Sequence, residues 1–105
     1  MKLPDVSPAI IDQINQEPEE AFWFVWDWNT DMPWWDSVTG HVRAFAFESD
    51  ALYDAVRFNG RLTSDGRICD GYPRQATLKE AKAARTNDRP IALFDRDLNV
   101  IRRLG

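Results

Sequence analysis

The segment AFWFVWDW, residues 21–28, decides how the rest of the chain is interpreted. Side chains of a strand alternate between two faces, and aromatic and β-branched residues favour strands. Both faces of this segment stay bulky and apolar as far as Val25, so we predict a central strand. One face holds Phe22, Phe24, Trp26 and Trp28, and the other holds Ala21, Trp23, Val25 and Asp27.

Shorter patterns predict the remaining elements. A second strand is predicted at 41–48, pairing antiparallel with the first, and a terminal hairpin at 90–94 and 99–103. A minor hairpin is predicted at 61–69, followed by turns around Pro73. Capping residues and apolar stripes predict short helices at 7–15, 49–58 and 77–86, the last opened by a Thr77–Glu80 capping box. For helix 49–58 we expect Leu52, Ala55 and Val56 to face inward.

This order of elements favours one fold class. Strands that follow one another through short connections form antiparallel sheets, with helices gathered on one face. We therefore predict an α+β fold: a small antiparallel sheet with about three short helices on one face. A chain of 105 residues fits a single domain, 1–105.

Composition limits the classes of protein to which the chain can belong. The single cysteine, Cys69, cannot form an internal disulfide, and no apolar run approaches the length of a membrane span. The N-terminal segment lacks the apolar run of a signal peptide, so we expect a cytoplasmic protein without a membrane partner. Residues 1–54 contain eleven acidic and two basic residues, against six acidic and eleven basic in 55–105. We expect the two halves to interleave and neutralise each other.

No motif in the sequence names a reaction. Asp27-x-Asn29-x-Asp31 starts like a calcium loop, but Met32 stands where the glycine belongs. One histidine, His41, and one cysteine are too few for a zinc site, and they carry no sign of a nucleophile–base pair. We predict no cofactor, no metal and no enzymatic activity. A small enzyme or a carbohydrate-binding domain stays open as a further alternative.

The connection between the first two strands is the most informative segment. It runs from Asn29 to Gly40, and connections of this length without regular structure are often functional. Trp34 and Trp35 lie in it without periodicity, between Asp31 and Asp36. Exposed tryptophans are common anchors of interfaces. The opposite interpretation, that the two tryptophans plug the loop against the sheet, remains open.

Two functions follow from these residues. The first is a small bacterial or phage protein that binds another protein, as inhibitor, immunity protein or regulatory accessory. Its anchors would be Trp34 and Trp35, rimmed by Asp31 and Asp36, with a basic partner surface. The alternative is a nucleic-acid-binding module with a basic patch of Arg74, Lys79, Lys82 and Arg85. The oligomeric state is left open, a homodimer included.

Overall fold

A computed structural model describes residues 20–63, 65–84 and 88–105. These ranges hold five strands and two helices. In chain order they are β1 (Ala21–Asp27), β2 (Val42–Phe45), α1 (Glu48–Phe58), β3 (Gly71–Thr77), α2 (Leu78–Ala83), β4 (Ile91–Phe94) and β5 (Val100–Arg103). The α+β class is confirmed. The predicted helix 7–15 lies outside the described residues.

The strands form one mixed sheet in the order β3-β1-β2-β4-β5. As predicted, β1 lies inside the sheet, β1 and β2 pair antiparallel, and β4 and β5 form an antiparallel hairpin. The expectation of a purely antiparallel sheet is wrong, because β2 and β4 run parallel. The chain between them passes through α1, β3 and α2, which is ample length for a crossover connection.

Each face of the sheet carries its own apolar cluster and its own helix. Phe24 and Trp26 belong to the first face, where Ala81 of α2 packs. Val25 and Phe45 belong to the second face, which is covered by α1. The prediction that the helices share one face is therefore wrong: both faces of the central strands are apolar, so each needs a cover. Trp26 is 2% exposed, which confirms its predicted core position.

Two local predictions fail for physical reasons. The predicted turns around Pro73 are instead β3, which pairs with β1 along its whole length. Proline is tolerated there because β3 is an edge strand, where one row of backbone groups needs no ladder partner. Helix α1 buries Ala51, Asp54 and Ala55, so the predicted inner stripe is confirmed for Ala55 and wrong for Leu52 and Val56, which are exposed. Small residues let the helix approach the sheet closely.

The other local predictions are confirmed with adjusted bounds. The capping box forms: Thr77 accepts a hydrogen bond from the Glu80 N–H, and the Glu80 carboxylate accepts one from the Thr77 N–H. The minor hairpin reduces to one bridge, between Leu62 and Ile68. The second strand ends at Phe45, because α1 already begins at Glu48.

The charges of the two halves of the sequence do interleave. Arg74 lies 3.9 Å from Asp31, Arg96 lies 3.7 Å from Asp50, and Arg102 lies 3.8 Å from Glu20. Each pair joins a basic residue of the second half to an acidic residue of the first. Neither helix in the described ranges has the length and apolar content that a membrane crossing requires.

Candidate functional site

The connection between β1 and β2 is an ordered structure built from two turns. Between the turns, residues 33–35 insert between the strands: Pro33 bridges Trp26, and Trp35 bridges Val42. The Trp34 N–H donates to the Val25 carbonyl at 2.8 Å, and the Trp34 carbonyl accepts from the Arg43 N–H at 3.3 Å. The segment therefore forms a short additional strand at this end of the sheet.

Aspartates hold the first turn together. The Asp27 carboxylate accepts hydrogen bonds from the Asn29 N–H at 2.7 Å and the Thr30 N–H at 3.0 Å. This is the turn chemistry of aspartate rather than metal ligation. Asp31 adopts a positive φ of 55° and accepts a hydrogen bond from Trp26 Nε1 at 2.9 Å. Its carboxylate also lies 3.9 Å from the Arg74 guanidinium and is otherwise exposed to solvent.

The two adjacent tryptophans point to opposite faces of the sheet. Trp34 is half-buried against the Val25 cluster, and its Nε1 donates to the Asp27 carboxylate at 3.2 Å. A Cβ added at Gly71 would lie 2.5 Å from both the Trp34 ring and Val25, so only glycine permits this packing. Trp34 therefore plugs the loop against the sheet.

Trp35 lies on the opposite side, because residues that bridge across a ladder share a face and its partner Val42 belongs to the Phe24 cluster. Its side chain is 43% exposed, and the Arg89 guanidinium lies 3.6 Å from the ring centroid. Trp28, 62% exposed, is on the same side, where its ring contacts Tyr72 at a centroid distance of 4.0 Å. We call Trp28, Asp31 and Trp35 the tryptophan surface.

Asp36 belongs to a buried ionic network and not to an exposed rim. Its Oδ1 accepts hydrogen bonds from the Val38 and Thr39 N–H groups at 2.8 and 2.9 Å, and its Oδ2 lies 3.5 Å from Arg43. Arg43 also contacts Asp54 of α1 at 2.9 Å. Of the four residues predicted to bind a partner, Asp31 and Trp35 are exposed, while Trp34 and Asp36 build the loop.

The two carboxylates of this network differ in their electrostatics. Burial alone would raise the pKa of Asp36, but the Thr39 and Val38 N–H donors and Arg43 outweigh it and lower the pKa. For Asp54, burial dominates over the attraction of Arg43, and the pKa is raised. The network ties α1 to β2 and to the connection, so it stiffens the base beneath the tryptophan surface.

The residues of the predicted basic patch lie in different parts of the structure. The Arg74 guanidinium, on the edge strand β3, lies 4.3 Å from the centre of the Trp26 ring. Lys79 and Lys82 are exposed on α2, and Arg85 lies outside the described residues. Lys82 instead joins Arg89 and Arg103 around a cavity. Sequence analysis missed these two arginines, since nothing in their spacing relates them to Lys82.

The residues weighed for catalysis show no reactive arrangement. Burial and the charge of Asp27 raise the pKa of the half-buried Cys69 thiol, which is the opposite of an activated nucleophile. Nδ1 of His41 is buried and has no hydrogen-bond partner in the part of the chain that the structure describes. Within the described ranges, no group of three or more His, Cys, Asp or Glu side chains is placed to hold a metal ion.

A second exposed apolar surface lies on the other face of the sheet, along α1. Leu52 is 50% exposed and Val56 is 69% exposed, one helical turn apart. Tyr53 beside them is covered in part by the Arg57 and Arg96 guanidinium groups, at 4.4 and 4.9 Å from the ring centroid. We call Leu52, Tyr53 and Val56 the α1 stripe. It arises because the helix buries its alanines instead.

Comparison with known proteins adds no assignment: no family model, curated protein or solved structure matches the chain. The function must therefore be argued from the site itself.

Proposed function

We propose that the protein works by binding another protein through the tryptophan surface. The observation that carries this proposal is that two exposed tryptophans are held in fixed orientations on one face. Trp28 rests on Tyr72, and Trp35 rests under the Arg89 guanidinium. An anchor that is already oriented loses less side-chain entropy on binding, which favours affinity.

The composition of this surface supports the same proposal. Tryptophan, tyrosine and arginine are the residues that dominate interface hot spots. Here Trp28, Tyr72, Trp35 and the half-buried arginines 74 and 89 occur at one end of a single sheet face. The rigid hydrogen-bonded connection beneath them gives the surface a defined shape.

The charge of the surface changes the expected partner. With Asp36 buried, Asp31 is the exposed carboxylate among the residues predicted for the rim, and it lies 3.9 Å from Arg74. The guanidinium groups of Arg74 and Arg89 therefore lie at this surface together with one exposed carboxylate, that of Asp31. We propose a partner that offers an apolar pocket bordered by groups of both charges, in place of the basic surface expected from sequence.

The test compares two double variants in the same capture experiment. Trp28→Ala/Trp35→Ala removes the anchors of the tryptophan surface, and Leu52→Ser/Val56→Ser removes the α1 stripe on the other face. Proteins captured by the wild-type chain are identified, and the affinity of a purified partner is then measured for all three chains. Hot-spot truncation costs about 2 kcal/mol or more per residue, so we expect affinity to fall by at least about 30-fold for each tryptophan removed.

The α1 variant is the matched control, because it removes exposed apolar area without touching the tryptophans. We expect it to keep the partner's affinity, and both variants should keep the wild-type circular dichroism spectrum. Loss of binding in the α1 variant with full binding by the tryptophan variant would place the interface on α1 and refute the proposal.

A further inference from the structure

A cavity of about 290 Å³ lies beside the segment that leads into β4. Three side-chain cations line it, from three separate parts of the chain: Lys82 of α2, Arg89 before β4, and Arg103 of β5. Asp88, Pro90 and Gly105 complete the lining. The tertiary structure alone brings these cations together, and the protein-binding proposal shares only Arg89 with the cavity, through its contact with Trp35.

Within the described ranges, the three cations lack the carboxylate partners that several other arginines have. Arg74, Arg96 and Arg102 each lie 3.7 to 3.9 Å from a carboxylate. Within the described part of the chain, Lys82, Arg89 and Arg103 form no such ion pair. Moreover, Nε of Arg89 is buried and has no hydrogen-bond partner among the described residues. A buried donor without an acceptor is costly, so the described surroundings of Arg89 do not satisfy all the donors of its guanidinium.

Arg89 is also fixed in position before any ligand arrives. Its guanidinium lies 3.6 Å from the centroid of the Trp35 ring, a distance typical of a strong cation–π contact. This contact restrains the long side chain at the cavity. A restrained arginine loses less freedom when it binds an anion, and its planar fork matches the oxygens of a phosphate.

Two groups of the lining limit what the cavity can accept. Asp88 contributes one negative charge, so the lining side chains carry three positive charges and one negative charge. The main-chain oxygen of Gly105 already accepts a hydrogen bond from the Ile91 N–H at 2.8 Å, which reduces its capacity to accept one from a ligand. The balance favours a ligand with more than one negative charge and several acceptor oxygens.

We propose that this cavity binds a phosphate group. The group can be supplied by a mononucleotide or by the backbone of a single-stranded nucleic acid, and both present the same oxygens. The chemistry is that of charge-assisted hydrogen bonds from two guanidinium groups and one ammonium group. The size of the cavity lies near the lower end of ligand-binding pockets, as expected for a small group.

The test measures binding of inorganic phosphate by isothermal titration at constant ionic strength. The variants are Arg103→Gln and Lys82→Gln. Arg102→Gln is the matched control, because it removes the same charge from the neighbouring residue, which is outside the cavity lining. We expect phosphate to bind the wild-type chain, and each cavity variant to bind at least about tenfold more weakly. The control should bind as the wild type does.

Circular dichroism of each variant confirms that the fold is retained, as expected for exposed side chains. Absence of phosphate binding to the wild-type chain would overturn the proposal, as would equal losses in Arg103→Gln and Arg102→Gln, since that result reports general charge alone. A mononucleotide and a single-stranded oligonucleotide are then compared at two salt concentrations. Tighter oligonucleotide binding with a steep salt dependence identifies the nucleic-acid source, and equal or tighter binding of the mononucleotide identifies a small ligand.

Discussion

Replacement of Trp34 by alanine tests how the connection between β1 and β2 is built. The indole is half-buried against Gly71 and Val25, and its Nε1 donates to Asp27 at 3.2 Å. The variant removes the plug that holds residues 33–35 against the second face of the sheet. It leaves the backbone bridges to both neighbouring strands chemically unchanged.

The expected cost follows from the area that the ring hides from water. A half-buried tryptophan hides about 150 Å², which at about 25 cal/mol per Å² corresponds to about 4 kcal/mol. Residual burial in the unfolded chain lowers this value to about 2.5–3.5 kcal/mol. The lost hydrogen bond to Asp27 adds about 1 kcal/mol. We therefore expect Trp34→Ala to reduce the free energy of unfolding by about 3.5–4.5 kcal/mol.

Trp35→Ala is the matched control, because it removes the same side chain from the next position. That ring is 43% exposed, so it hides less area than the Trp34 ring, and its contact with the Arg89 guanidinium adds about 0.5–1 kcal/mol. We therefore expect Trp35→Ala to lose less stability than Trp34→Ala.

Urea denaturation followed by far-ultraviolet circular dichroism measures both values, since tryptophan fluorescence changes with the substitution itself. In a domain of this size, 1 kcal/mol moves the melting midpoint by roughly 4–8 °C, so Trp34→Ala should melt more than about 10 °C below the wild type. A loss below about 1 kcal/mol for Trp34→Ala would refute the plug. A larger loss of stability in Trp35→Ala than in Trp34→Ala would also refute it, because Trp35 would then be the residue that plugs the loop.

The remaining predictions address the core, the ionic network and the thiol. Trp26→Ala should cost about 3–5 kcal/mol in chemical denaturation, because it empties a core site, and a loss below about 1 kcal/mol would place Trp26 at the surface. Arg43→Met should cost about 3–5 kcal/mol, because it leaves the buried Asp54 carboxylate without its partner; an unchanged urea midpoint would contradict this. The pKa of Asp36 is lowered in the folded state from its ordinary value of 3.8, so the stability it contributes is present above that pH and is lost as the pH falls through the folded value. Asp36→Asn should therefore lower the free energy of unfolding at neutral pH, and below about pH 4 this free energy should fall less steeply with pH than it does in the wild type. Equal slopes of the two curves in acid would contradict the prediction. Cys69 should react slowly with a thiol reagent in the native state and faster after unfolding, since its pKa is raised; prompt labelling of the folded protein would show an accessible thiolate.

The sequence by itself determined the elements whose local signals agree with their surroundings. The aromatic segment of β1 predicted a central strand, because only a strand covered on both faces can bury bulky side chains on both. The Thr77–Glu80 capping box predicted the start of α2, because its hydrogen bonds close within one turn. The terminal hairpin followed in the same way from two short apolar runs. These features depend on neighbours in the chain.

Tertiary structure alone decided which of two adjacent or equivalent residues faces inward. Trp34 and Trp35 differ because the segment 33–35 inserts as a strand and alternates its side chains, and because Gly71, without a Cβ, leaves room for the Trp34 ring. Pro73 marks a turn in isolation, yet it lies in a strand because that strand is at an edge. In α1, the close approach to the sheet selected alanines over larger apolar residues.

The charged residues show the same difference between what the sequence predicts and what only the packing of the elements decides. Sequence showed that the second half of the chain is basic, and it predicted that acidic residues of the first half would neutralise it, which three ion pairs confirm. It gave no means to place Arg89 and Arg103 beside Lys82, because these residues meet only when α2, β4 and β5 are assembled. Contacts between residues far apart in the chain are fixed by the packing of whole elements, and local patterns carry no record of them.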